Sequence, residues 1–304
     1  MMEEIDMKKI VAILLLSVIS TGLVMGQDED NKEKPKDRPV AEVFGAGLLI
    51  DNQTCFIPEP KSLEFLIQHR FGKMNNGISD VWGIYSPGAN IRLGLNWVPV
   101  RKLQLGYGLM KEKMFSDFQI KYNLLEQTRK DVVPVFVTLY GNLAVDGRSK
   151  DVFGSNYTFT NRFAYFTEVI VGRKFNDWFS LEARGNFTHY NRVQEGTDHD
   201  KIGVGFDGRL KFSPQSALHF QFNVPLKIQS ISEYKTDDNE WVNPAKPAFG
   251  IGYEVNTGAH SFQIYITSAK GILPQEIYMY NQDDWTKGTH GLMFGFTVNR
   301  LWGF

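Results

Sequence analysis

The stretch Lys201-Ile202-Gly203-Val204-Gly205-Phe206-Asp207-Gly208-Arg209-Leu210-Lys211-Phe212 decides how the chain folds. Ile202, Val204, Phe206, Leu210 and Phe212 share one parity. Gly203, Gly205, Asp207, Arg209 and Lys211 take the other. Side chains of a strand alternate between faces, so this strand has one apolar face and one polar, glycine-rich face. The pattern recurs on both sides of it. Ile91, Leu93, Leu95 and Trp97 oppose Arg92, Gly94 and Asn96; Phe118, Ile120, Tyr122 and Leu124 oppose Asp117, Gln119, Lys121 and Asn123. Alternation predicts twelve strands, near 61–71, 89–98, 102–110, 115–124, 132–144, 161–174, 178–190, 201–212, 216–224, 247–256, 260–269 and 290–304. Strands of about 9–11 residues suit a tilted crossing of a bilayer. No segment reads as a long amphipathic helix.

The connections sharpen this. Those after even strands are short, such as Pro99-Val100-Arg101 and Asn176-Asp177. Those after odd strands are mostly long: 72–88, 145–160, 191–200, 225–246 and 270–289. The exception is Lys111-Glu112-Lys113-Met114. Short turns at one end and long loops at the other are the layout of an outer-membrane barrel. That topology puts the N-terminus and short turns in the periplasm and the long loops outside. In the last strand Phe294, Phe296, Val298, Trp302 and Phe304 share one parity, with Arg300 the departure. Such an ending resembles that of outer-membrane barrels, which implies that Trp302 and Phe304 form the membrane-insertion signal read by the barrel assembly machinery.

Leu63-Glu64-Phe65-Leu66-Ile67-Gln68-His69-Arg70-Phe71-Gly72 followed by Ala89-Asn90-Ile91-Arg92-Leu93-Gly94-Leu95 resembles an uncharacterised family of Gram-negative outer-membrane β-barrel proteins. Phe118-Gln119-Ile120-Lys121-Tyr122-Asn123-Leu124-Leu125 is similar to it too. The resemblance implies fold and location and carries no catalytic or binding residue with it.

Composition agrees. The chain has 304 residues, a formal net charge of −1, 28 Gly, 23 Phe, 12 Tyr, 6 Trp and one Cys. So many aromatics with so little net charge exclude a disordered chain. Cys55 alone excludes a disulfide scaffold and is expected as a small buried residue. The absence of a basic excess argues against nucleic acid as a partner. The only long apolar run is Ile10 to Met25, preceded by Lys8 and Lys9 and followed by Val24-Met25-Gly26. This is the pattern of a cleaved secretory leader, residues 1–26. Residues 27–39, charged and interrupted by proline, are expected as a flexible periplasmic tail. Residues 40–60 are apolar enough to be ordered, either as a small plug in the barrel or under its mouth. The barrel itself is expected over 61–304.

Chemical motifs are few. Gly203 to Gly208 spells GxGxxG, yet strand alternation continues through it, and a dinucleotide site needs a helix there. Its glycines are expected to make room in the lumen. None of the six His is followed by Ser two places on, which removes the His-x-Ser arrangement of lipid-cleaving barrels. No metal signature occurs, and no cofactor is expected. Asp237-Asp238-Asn239-Glu240 and Gln282-Asp283-Asp284 are expected to keep outer loops solvated, with loose binding of divalent cations as the alternative.

The candidate site is the inward parity: Glu64, Arg70, Arg92, Asp117, Lys121, Glu182, Arg184, Asp207, Arg209, Lys211 and Glu254. These charges either line a watery path or pair and fill the lumen, and about twelve strands lies between filled and open barrels. The expectation is therefore an all-β protein, an antiparallel up-and-down transmembrane β-barrel of about 12 strands. It sits in outer-membrane lipid, is no enzyme, and passes or binds a small-molecule solute. The alternative is a non-conducting barrel that binds a partner through loops 225–246 and 270–289; a lipid hydrolase is the third reading.

Overall fold

The computed structural model describes residues 37–193, 197–226 and 245–304. The expected leader and the cluster Asp237-Asp238-Asn239-Glu240 lie outside the described residues.

A short hairpin, β1 (Leu48–Leu49) and β2 (Asn52–Gln53), precedes the barrel. Twelve strands follow: β3 (Ser62–Lys73), β4 (Asn90–Val100), β5 (Leu103–Met110), β6 (Ser116–Leu125), β7 (Phe136–Val145), β8 (Phe163–Lys174), β9 (Phe179–Tyr190), β10 (Asp200–Lys211), β11 (Ser216–Pro225), β12 (Ala248–Asn256), β13 (His260–Thr267) and β14 (Met293–Gly303). Each pairs antiparallel with its neighbours, and β14 closes on β3, with Thr297 opposite Gln68 and Trp302 opposite Leu63. Closure leaves no free sheet edge.

The expected strands are found with small shifts at their ends. β7 begins at Phe136 and not at 132, because Pro134 offers no N–H and Asp131 turns the chain at φ 55°. β13 stops at Thr267, where the chain bends so that the Ala269 carbonyl accepts from Arg70.

The two faces are opposite in character to those of a soluble barrel. Leu93, Leu95, Leu105, Ile120, Leu139, Val169, Leu218 and Ile264 face outward and are exposed. Arg70, Arg92, Asp117, Lys121, Glu182, Asp207 and Glu254 face inward and are buried. Exposed rings mark two levels of the outer wall. Trp97, Tyr122, Trp178 and Phe212 lie toward the short turns, and Tyr107, Phe118, Tyr165 and Trp285 toward the long loops. An apolar band between two aromatic girdles is the outer surface of a membrane barrel. Arg300 breaks the apolar parity of β14 at the short-turn end, where its guanidinium lies 5.1 Å from the Trp302 ring. Its cation therefore has an aromatic partner and stands at the edge of the band.

Two segments lie inside the barrel: residues 43–56, for which a plug was one of the two expectations, and the 270–289 connection. Residues 43–56 enter from the short-turn end, where Val43, Phe44, Leu49 and Cys55 pack against Phe136. The second is the 270–289 connection, expected as an outer loop. It turns inward and forms α1 (Pro274–Tyr280), with Pro274 to Met279 buried. The apolar Ile272, Leu273, Ile277 and Met279 drive this, since they would otherwise stand in water. Tyr278 stacks on Phe166 at 6.0 Å and donates to Asn223 at 2.9 Å. Gly203 makes the seat, because a Cβ there would overlap the Tyr278 ring. Gly203 and Gly205 of the GxGxxG string thus make room for a side chain of α1, whereas Gly208, expected in the lumen too, faces the Phe220 ring on the outer side, and no helix follows the string. Outside the barrel, Val40 donates to the Gln127 carbonyl at 2.8 Å and Lys130 N–H to Asp37 at 3.2 Å. Residues 37–40 are held against the turn before β7.

Candidate functional site

Every charged residue singled out from the inward parity is placed inside the wall, and most are tied to another charge. Arg92 forms a bidentate pair with Asp117, both bonds 2.8 Å, and donates to Gln68 at 3.0 Å. Asp117 also accepts from Gln119 and Asn142. Arg209 donates twice to Glu254, at 3.0 and 2.6 Å. Arg184 is the hub of a larger group. It reaches Glu182 at 2.8 Å, Glu168 at 3.1 Å, and Asp207. Glu64 accepts from Asn96 and Asn299. Neighbouring strands hold these atoms in register, with Asp207 opposite Glu182 and Gln68 opposite Arg92.

The remaining charges grip the hairpin. Arg70 pairs with Asp51. Lys121 donates to the carbonyls of Gly47, Thr54 and Phe56 and to Gln53 Oε1, at 3.1 to 3.3 Å. Arg184 donates to the Gln53 carbonyl at 3.0 Å, and Glu182 accepts from the Cys55 N–H at 3.1 Å. Asn52 donates to Asp207 and Asn223 at 2.7 and 2.9 Å. Lys211 meets Glu42 at 3.1 Å near the short-turn end, where the ammonium holds the Glu42 carboxyl below its ordinary range. Wall charge and hairpin backbone thus satisfy one another, as buried polar groups must.

Sequence reasoning missed Asp51, Asn52, Gln53, Glu168 and the residues of α1. Glu168 stands between Phe166 and Ile170 on the inward parity of β8, both buried against Tyr278. Because β8 faces α1, both its faces are apolar and the parity is unreadable there. A signal for α1 was present in Pro274 at the start of an apolar run within a loop.

Hairpin and helix meet near the middle. The gap lined by Asp51, Asn52, Gln53, Tyr140, Leu273 and Pro274 is about 10 Å3, room for about one water. Above α1, at the long-loop end, lies a vestibule of about 1180 Å3. Its lining mixes both signs of charge with aromatic rings. Lys73 pairs with Asp283 at 2.5 Å, Arg148 with Asp146 at 2.6 Å, Lys270 with Glu112 at 3.5 Å, and Lys113 with Glu276 at 3.4 Å. Burial pushes the Glu276 carboxyl up to about 7, against the pull of Lys113. Asp283 and Asp284, expected to solvate a loop or to bind divalent cations loosely, have defined partners: Asp283 takes Lys73, and Asp284 accepts from the Thr286 N–H.

No metal-binding cluster occurs among the described residues. His189 meets Asp200 at 2.6 Å and Asn191 at 3.0 Å, and His219 is buried beside Gly252. Trp302 lies at the end of β14 and Phe304 follows the strand, its N–H donating to the Lys61 carbonyl at 3.1 Å.

No curated protein matches the sequence. Several solved structures are similar in shape. The KdgM porin shares 6% identity over 80% of this chain and 99% of its own, with a TM-score of 0.45. An outer membrane channel from Pseudomonas putida F1 shares 10% over 81% and 97%, with a TM-score of 0.49. LpxR from Salmonella typhimurium shares 10% over 80% and 100%, with a TM-score of 0.38. Residues 44–302, from the hairpin to the end of the last strand, match the family described as membrane bound beta barrel domain (DUF5777), and the chain belongs to that family.

Proposed function

We propose that the protein is an outer-membrane barrel that takes a small polar solute into its vestibule and lets it pass only when the hairpin and α1 give way. The short turns and N-terminus face the periplasm, and the vestibule opens outward. One observation carries the reading: an inward face polar on most strands, filled by the hairpin and α1, lies under a vestibule of about 1180 Å3. The inward charges Arg70, Lys121 and Arg184 hold a separate segment by contacts that water can replace. The reading includes no catalysis, since none of the six His is followed two places on by the Ser it would activate on the same strand face. Outer-membrane lipid surrounds the apolar band, and the Trp302–Phe304 ending serves the assembly machinery.

The test is solute uptake by liposomes containing the full chain or a chain lacking both residues 41–57 and residues 272–280. The intact protein is expected to leave swelling at the protein-free rate. The shortened barrel, shown to be folded by heat-modifiable migration, is expected to admit small sugars. A folded shortened barrel that admits nothing would end the passage reading and favour the non-conducting alternative.

A further inference from the structure

The floor of the vestibule surrounds one ammonium group with unusual completeness. Lys113 lies on the shortest connection at the long-loop end, at φ 54°, and Met114 follows at φ 51°. Two successive side-chain-bearing residues in the left-handed region are strained, so the surroundings must hold them there. The Lys113 Nζ stands 4.5 Å from the Tyr280 ring centre, 5.6 Å from Phe115 and 5.9 Å from Tyr190. Glu276 Oε1 is 3.4 Å away. Three rings and one carboxylate are the surroundings that select an ammonium, because ring faces are negative and the carboxylate fixes its direction.

Two further atoms at this place have no hydrogen-bond partner among the described residues. They are the buried Glu276 Oε2 and the buried Tyr190 hydroxyl. Both residues line the vestibule. The orphaned carboxylate oxygen can accept one more donor, such as the hydroxyl of a small hydroxyl-bearing ammonium solute, which a single tethered lysine does not supply. Burial of Glu276 favours its neutral form, and a cation beside it restores the charge.

We infer that this floor recognises a solute bearing an ammonium group, and that Lys113 is the resident occupant which the solute displaces. The inference rests on reading the vestibule as a capture site. Tyr280 and Glu276 belong to the segment that fills the lumen, whereas Lys113 belongs to the opposite wall. Exchange of the tethered cation for a free one therefore cuts a tie between wall and α1, and capture is coupled to loosening of the helix.

The probe pair is choline and its neutral isostere 3,3-dimethylbutan-1-ol, titrated by calorimetry into the refolded full chain. Lys113→Ser vacates the floor and is expected to bind choline about tenfold tighter than the unsubstituted protein, and the isostere no better. Adding Glu276→Gln or Tyr280→Leu should remove the gain. A folded Lys113→Ser barrel with no gain overturns the inference. So does equal binding of the isostere, although that result would leave the vestibule a capture site. If Lys113→Ser does not fold, the unsubstituted protein decides: saturable choline binding weakened about tenfold by Tyr280→Leu supports the inference, and its absence overturns it.

Discussion

Arg184→Ala is expected to destabilise the folded barrel by about 3–5 kcal/mol, the largest loss of any single replacement in the lumen. Arg184 is fully buried, and its guanidinium faces Glu182, Glu168 and Asp207 while also holding the Gln53 carbonyl. Truncation leaves three carboxylates close together with one cation fewer, and buried charge without a partner is far more unfavourable than an intact pair is favourable. Arg184→Lys should recover only part of the loss, since one ammonium cannot direct bonds to four acceptors in the plane of a guanidinium. Acidification should narrow the gap between Arg184→Ala and the unsubstituted protein, because protonated carboxyls no longer repel. The urea midpoint of the refolded protein, read by heat-modifiable migration at two pH values, checks all three. A loss below about 1 kcal/mol would mean that water fills the space around these carboxylates.

Ile120→Arg is expected to cost about 2–4 kcal/mol, although the residue is 52% exposed. Ile120 stands at the middle of β6, across from Leu105 and Gly141, on the apolar outer face. On a soluble protein an arginine at so open a site changes stability by about 0.5 kcal/mol or less. In hydrocarbon the same guanidinium must give up its hydration. Trp97→Arg, near the short-turn girdle, should cost about 0–1 kcal/mol, because charge at the interface keeps its water. The depth dependence, measured as unfolding free energy in lipid vesicles, distinguishes a membrane wall from a solvent-facing one.

The wall of this barrel was legible in the sequence, and its filling only as one of several alternatives. Alternation is a property of each strand, and it placed Arg92 and Asp117 on the inner face from Ile91–Trp97 and Phe118–Leu124 alone. It could not say that they pair, because register between strands is set by closure around the whole ring. Whether residues 40–60 plug the lumen or pack under its mouth was not decided in the sequence, because Lys121 holds the hairpin through the carbonyls of Gly47, Thr54 and Phe56. Backbone acceptors are the same for every residue and leave no mark in the sequence. The helix α1 escaped because its seven residues are shorter than the span over which a helical period shows. Glu168 escaped because the helix it lies beside made β8 apolar on both faces. What fills a barrel is decided by contacts between segments distant in the chain, such as Asn52 with Asp207.

The placement of residues 43–56 inside the wall is the claim on which the closed lumen depends, and the chain offers a direct probe of it. Gly172 on β8 faces Cys55 of the hairpin. A Cβ at Gly172 would lie 3.5 Å from the Cys55 Cβ and 2.8 Å from its Sγ. A Cβ separation of about 3.5–4.5 Å suits a disulfide. Gly172→Cys, refolded in vesicles under a mild oxidant, should therefore yield one intramolecular disulfide between Cys55 and the introduced thiol, seen by mass spectrometry as a cross-linked peptide pair. Two free thiols in a fully folded, oxidant-treated barrel would show that the hairpin does not sit against β8 and would contradict the plugged lumen.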